Sequence, residues 1–207
     1  MDFQEHLFWP TRVVTADLGE AFADDVNNEV SDYVVGDDGF SLLDQTHLPA
    51  TAQLVEAMGE TARSWVRMAG YDSDAVEPHM TRSWTHLTGP GDMLTPHQHQ
   101  MVALAVTFIA QATFRSHPLT GVGTHQYEAP LEGAFYIQRP HGVHIVDDSD
   151  RDTVQVPPVP GRLMCFPANL WHGQHPIMPG VQKQRRVMVA NFGVTRFPVP
   201  GRDIHAH

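Results

Sequence analysis

Cysteine and lysine are almost missing from this chain, which has one of each, Cys165 and Lys183, in 207 residues. A lone cysteine excludes an internal disulfide framework. With lysine so scarce, the 13 basic residues are nearly all arginine, and they face 24 acidic residues for a formal charge of −11. That excess argues against a nucleic-acid phosphate backbone or an anionic membrane surface as a partner. It leaves room for a small anion held by one or two buried arginines. No apolar run reaches the roughly 20 residues that span a bilayer. The opening MDFQEHLFWP has neither the basic segment nor the apolar stretch of a secretory leader, so cytoplasmic residence is the default expectation. What is present suits one folded domain with a real core, with a hydrophobic share of 42% against 18% charged. Histidine is abundant, at 14 residues.

The pattern along the chain divides in two. Residues 16–35 begin with acids near Asp17 and suggest a helix closed by the turn signal GDDG at 36–39. A second helix is expected over 49–69, because Leu54, Met58, Ala62, Trp65 and Ala69 recur at helical spacing and give one apolar stripe. Gly70 closes it. From about residue 79 the pattern changes to short Val/Ile/Phe/Trp-rich segments between Gly and Pro: HMTRSWTHL, MVALAVTFIAQ, GAFYIQ, GRLMCFP and RRVMVANFGV. These predict a β-barrel or sandwich. The acidic, then proline-rich, stretch 146–161 reads as a loop. The expected organisation is one domain, with an N-terminal helical layer at 1–78, a β-barrel core at 79–195 and a C-terminal tail at 196–207. The helix stripe needs a partner and finds it in the core.

The segment TPHQHQMVALAVTFIAQ places His97 and His99 just ahead of an apolar strand. Alternation with period two puts both imidazoles on one face and turns Gln98 away. An H-x-H pair in a histidine-rich chain is a weak signal alone. The downstream run GRLMCFPANLWHGQHP adds His172, and two ligands from one segment with a third from a distant strand can build a facial three-ligand metal site. His175 competes on that run. His172 is preferred because Trp171 and the apolar strand before it suggest an enclosed position. His79 and His86 flank the TRSWT strand, where one could line the pocket. His117, His125, His141 and His144 fall around loops, and His205 and His207 in a terminal HAH.

Arg185 and Arg186 open an apolar strand, which is a costly place for charge unless an anion or carboxylate meets it. Alternation lets only one point inward. Arg186 shares a face with Met188 and Ala190, and Arg185 shares one with Val187, Val189 and Asn191. Spacing alone leaves the choice open. Trp84 and Thr95 stand beside them as candidate contacts, and Trp84 suits packing as well.

The residues LFWPTRVV, TRSWTHL, TPHQHQ, EGAFYIQRP, GRLMCFPANLWHGQHP and RRVMVANF, in this order, cover most of residues 7–192. They resemble the Fe(II)/2-oxoglutarate-dependent oxygenases of the double-stranded β-helix fold, in particular a bacterial and phage subgroup with an H-x-H metal motif. The resemblance implies a mainly β, jelly-roll or cupin-like barrel with N-terminal helices packed on it. It implies iron(II) held by His97, His99 and His172. It also implies that 2-oxoglutarate is anchored by Arg186, with Arg185 in reserve, and that dioxygen acts on a small-molecule or peptide substrate. A homodimer is the assembly considered. The sequence departs from the common family pattern at two points. His99 replaces the usual carboxylate ligand, and R-V-M replaces the usual R-x-S/T. Two other readings follow from the same residues: a cupin-like three-histidine dioxygenase whose substrate itself chelates iron, and a non-catalytic ligand-binding barrel.

Overall fold

A computed structural model describes residues 1–8, 11–33, 40–112, 133–138, 153–177 and 184–196. Its strands are β1 (Gln4–Phe8), β2 (Thr11–Asp17), β3 (Val76–Thr88), β4 (Leu94–His97), β5 (Leu104–Gln111), β6 (Phe135–Gln138), β7 (Thr153–Val156), β8 (Arg162–Pro167), β9 (His172–Gln174) and β10 (Arg185–Arg196). Helices α1 (Glu20–Glu29) and α2 (Pro49–Met68) lie between β2 and β3 in the chain. The strands form a six-stranded sheet of order β1-β2-β8-β5-β10-β3 and a four-stranded sheet of order β4-β9-β6-β7. Every pairing is antiparallel.

Side-chain alternation makes the large sheet the middle of three layers. Val106, Phe108 and Ala110 of β5, with Met188, Ala190 and Phe192 of β10, pack on Leu54, Met58 and Ala62 of α2 and Ala23 and Val26 of α1. The opposite faces of these strands turn to the small sheet. There Ala105, Met164 and Phe166 meet Phe135, Ile137 and Val156, while Ile109, Val187 and Val189 form a third apolar group beside Trp84. A strand covered on both sides has no polar face, so LAVTFIA reads as an unbroken apolar run. This architecture is a double-stranded β-helix with helices on one outer face, as expected.

Helix α2 matches its predicted span, and Pro49 sits at its start where a missing N–H costs nothing. Its free N–H groups are capped from outside. The Glu29 carboxylate accepts from Ala50 N at 2.9 Å and from Thr51 N at 2.8 Å. Gly70 ends the helix with φ of 80°.

Three boundaries differ from expectation. The stretch Thr11–Asp17 is strand, so the helix expected over 16–35 spans only Glu20–Glu29, and the layer at 1–78 includes β1, β2 and the first three residues of β3, all in the large sheet. Val13, Val14 and Ala16 are buried there, and β2 pairs with β8. Thr153–Val156, expected as loop, is strand β7 with alternating burial. The third concerns MVALAVTFIAQ, in which the strand starts at Leu104. The chain crosses from the small sheet to the large one through 98–103, where exposed Met101 adopts φ of 63°. The GDDG turn and His117, His125, His141, His144, His205 and His207 lie outside the described residues. No helix is long and apolar enough to cross a membrane among the described residues.

Candidate metal centre and anion pocket

Three elements deliver the three histidines to one point between the sheets. His97 ends β4 and pairs with His172, the first residue of β9. His99 lies beyond β4 in the crossing segment, fixed by a backbone bond from its N–H to the Ala168 carbonyl at 2.8 Å. The three donor nitrogens lie within 4.8 Å of one another. The imidazole centroids are 4.4 Å apart for His97–His172, 5.0 Å for His99–His172 and 5.4 Å for His97–His99.

Their hydrogen bonds decide which nitrogen is free. His97 Nδ1 donates to the Thr95 carbonyl at 2.9 Å, and His172 Nδ1 donates to the Leu170 carbonyl at 2.7 Å. His99 Nδ1 donates to Asn191 Oδ1 at 2.6 Å. A carbonyl can only accept, so each Nδ1 carries a proton, and in the neutral ring it is Nε2 that keeps the lone pair. This is how metal-binding imidazoles are oriented by an outer set of acceptors.

Burial disfavours protonation of His172 and His99. His172 is 2% exposed and stands against Phe135 and Phe166. Desolvation pushes its pKa down to about 3, with the Leu170 carbonyl pulling upward and the neighbouring histidines downward. His99 is lowered by the same burial, partly offset by Asn191. His86, which lines the same cavity, is lowered by burial and then by His97 and Arg185. His175 stays outside the cluster and faces the Tyr136 ring at 4.6 Å. The enclosed position of His172 owes nothing to Trp171, which is 37% exposed.

The two arginines part as alternation requires, with their expected places exchanged. Arg186, preferred for the cavity, turns to the helical layer and donates to the carbonyls of Val30 and Tyr33, both at 3.2 Å, and of Ser31 at 3.4 Å. It closes the C-terminal end of α1, where helix carbonyls lack partners and favour a cation. Arg185 lines the cavity with His97, His99, His172 and Trp84. Burial lowers its proton affinity, and its Nε has no hydrogen-bond partner. No aspartate or glutamate is among the described residues lining this cavity. Thr95 contributes only its carbonyl, because its side chain is exposed and lies off the lining.

Sequence reasoning passed over three contributors. Asn191 is a polar residue in an apolar strand, and it shares the Arg185 face. Gln174 stands two residues after His172, hence on the same face of β9, and Thr88 pairs with Arg185 across β3 and β10. The amide of a buried Gln in HGQHP was the signal available for the second.

No family profile matches the sequence, and no curated protein matches it. Solved structures do match in fold. The chain is similar to AviO1 from Streptomyces viridochromogenes at TM-score 0.57 and 14% identity, covering 91% of this chain and 92% of that one. It is similar to a non-heme monooxygenase solved as the ThoJ-Ni complex at TM-score 0.53 and 14% identity, covering 87% and 73%. A Pseudomonas putida prolyl-4-hydroxylase gives TM-score 0.52 at 14% identity, covering 90% and 88%. The class these comparisons define is the double-stranded β-helix fold over nearly the whole chain. The histidine cluster within that fold is a site compatible with an H-x-H…H metal centre.

Proposed function

We propose that the protein is a non-haem iron(II) oxygenase that uses 2-oxoglutarate as cosubstrate. His97, His99 and His172 would be the metal ligands, and Arg185 the anchor for the cosubstrate's far carboxylate. One observation carries the reading: three imidazoles with free Nε2 atoms and a buried guanidinium without a carboxylate partner open into one cavity. Imidazole donors suit iron(II), and zinc, copper and nickel could compete for them. Support also comes from the fold neighbours described as a hydroxylase and a monooxygenase, although fold alone does not carry function.

When bound, iron(II) would supply the site at which dioxygen is activated; dioxygen is the oxidant, and 2-oxoglutarate and the substrate would each give two electrons. The chain's own part is electrostatic and steric. The acceptors on each Nδ1 hold the imidazoles in the ligating tautomer before any ion arrives. Arg185 offers charge-assisted donors to an incoming carboxylate. Trp84, Phe135, Val187 and Val189 line the same space with apolar surface and limit water there. With no acid lining the cavity, a divalent ion and Arg185 together call for anionic ligands. A dianionic cosubstrate meets that need. The prime substrate is a small molecule or peptide.

His99 in place of a carboxylate favours a second reading, in which the substrate itself chelates the ion and 2-oxoglutarate is not used. Anaerobic addition of iron(II) and then 2-oxoglutarate to the metal-free protein separates the two. A visible charge-transfer band that needs both additions and is absent in His97→Ala is expected. Bound iron without any band would favour the substrate-chelating reading, and failure to bind metal would leave only a ligand-binding barrel.

A further inference from the structure

Arg185 is 4% exposed, and the only side-chain acceptor it meets among the described residues is an amide. Its Nη1 donates to Gln174 Oε1. Gln174 is itself 1% exposed, and its Nε2 donates to Thr88 Oγ1 at 3.1 Å. Thr88 Oγ1 also lies 3.4 Å from the Arg185 carbonyl. The group is assembled across the cavity. Thr88 and Arg185 are cross-strand partners in the large sheet, while Gln174 reaches in from β9 of the small sheet.

The choice of amide over carboxylate has a physical consequence. Glutamate at 174 would place an anion against a desolvated guanidinium, neutralise it and form a buried ion pair. Glutamine fixes one corner of the same planar fork and leaves the charge uncancelled. A buried cation without an anion is costly to hold, and the Arg185 Nε–H is left without an acceptor. A carboxylate that reached the guanidinium would offset both deficits. The residue two positions after Arg185 on its own face is Val187, so no hydroxyl assists from that strand. Thr88 supplies a hydroxyl from the neighbouring strand, but directs it to Gln174.

We propose that Gln174 is the positioning and specificity residue of the anion site, a neutral tether, braced by Thr88, that aims Arg185 at a carboxylate without neutralising it. This rests on the assignment of Arg185 to the cosubstrate given above. The test is calorimetric titration of 2-oxoglutarate into the cobalt(II)-loaded full chain, with melting of the metal-free protein alongside. Gln174→Glu is expected to bind 2-oxoglutarate at least about tenfold more weakly, the scale of a lost charge-assisted contact. Its cobalt affinity should be no lower than wild type, because a carboxylate does not repel a cation, and its Tm should be raised, because Arg185 gains a counter-ion. A merely structural glutamine would not give a higher Tm with lost binding. Gln174→Glu that binds 2-oxoglutarate like wild type overturns the proposal and leaves the proposed function standing. Wild type that binds cobalt but no 2-oxoglutarate overturns both. Should Gln174→Glu fail to fold, Thr88→Val decides: weaker 2-oxoglutarate binding with intact cobalt binding supports the tether, and unchanged binding overturns it.

Discussion

Asn191 sits among valines and alanines of β10 and holds the Nδ1 proton of His99. The acceptor is a neutral amide, so it fixes the tautomer without adding charge to a site that already lacks acids. Asn191→Leu keeps the volume and removes the acceptor. It is expected to weaken metal binding by about 10–100-fold, the usual cost of losing an outer-shell partner, measured by competitive titration with cobalt(II). Affinity equal to wild type would show that the crossing segment alone positions His99. Arg186 makes the opposite kind of contribution. Its three carbonyl partners all belong to the end of α1 and the turn after it. Arg186→Met is therefore expected to cost about 1–3 kcal/mol in urea unfolding by removing the donor from one buried and two partly buried contacts, while metal binding stays unchanged.

At the level of elements, β9 is only three residues long, yet it carries His172 and Gln174 on one face. Gly173 between them must have no side chain. A Cβ there would lie 2.4 Å from Tyr136 Oη and 2.6 Å from the Leu94 carbonyl, on the two strands that flank β9. Gly173→Ala should cost about 1–3 kcal/mol through overpacking, and it should lower metal affinity because His172 moves with the strand; denaturant unfolding and cobalt titration read the two effects. The helical layer has its own joint, the Glu29 carboxylate over the start of α2. Glu29→Ala is expected to cost about 0.5–2 kcal/mol, the range for a lost cap. The elements legible in the sequence were α2, β3, β5 and β10, which have long apolar or periodic signals, and the shorter β6 and β8, whose apolar runs stand between Gly and Pro or Gln. The missed strands lack such a signal. β4 and β9 are four and three residues long, TVQV of β7 adjoins a proline cluster, and β1 and β2 precede a helix whose acids also suit an earlier start. The side of β10 that faces the cavity depended on where the helices pack, and the Arg185/Arg186 exchange followed from that.

Across the molecule, the three histidines were readable because H-x-H and the later WHG bracket one strand system in order. Their acceptors and the amide tether come from backbone carbonyls and from partners far apart in sequence, which no local pattern announces. The burial of these imidazoles has a consequence for the whole fold. His172, His99 and His86 all bind protons less readily in the folded protein than in the unfolded chain, where the ordinary value is 6.5. The unfolded state thus takes up protons as pH falls below 6.5 while the folded state resists, for His172 down to about 3. Stability of the metal-free protein should be full above pH 6.5 and fall on acidification, by up to roughly 1.4 kcal/mol per pH unit for each such group. Metal binding at His172 should persist below the pH at which this loss of stability begins, because protons compete for that nitrogen only as pH nears about 3. Urea midpoints between pH 7.5 and 5 check the first; stability that rises on acidification would contradict it.

Under the proposed function, a three-histidine metal centre and Arg185 act on the same dianion in one cavity, with Arg186 turned away to the helices. Calorimetric titration of 2-oxoglutarate into cobalt(II)-loaded wild type, Arg185→Met and Arg186→Met tests this most directly. The expected result is binding by wild type and Arg186→Met, with a loss of about tenfold or more in Arg185→Met. Equal binding by wild type and Arg185→Met, or a loss confined to Arg186→Met, would contradict it.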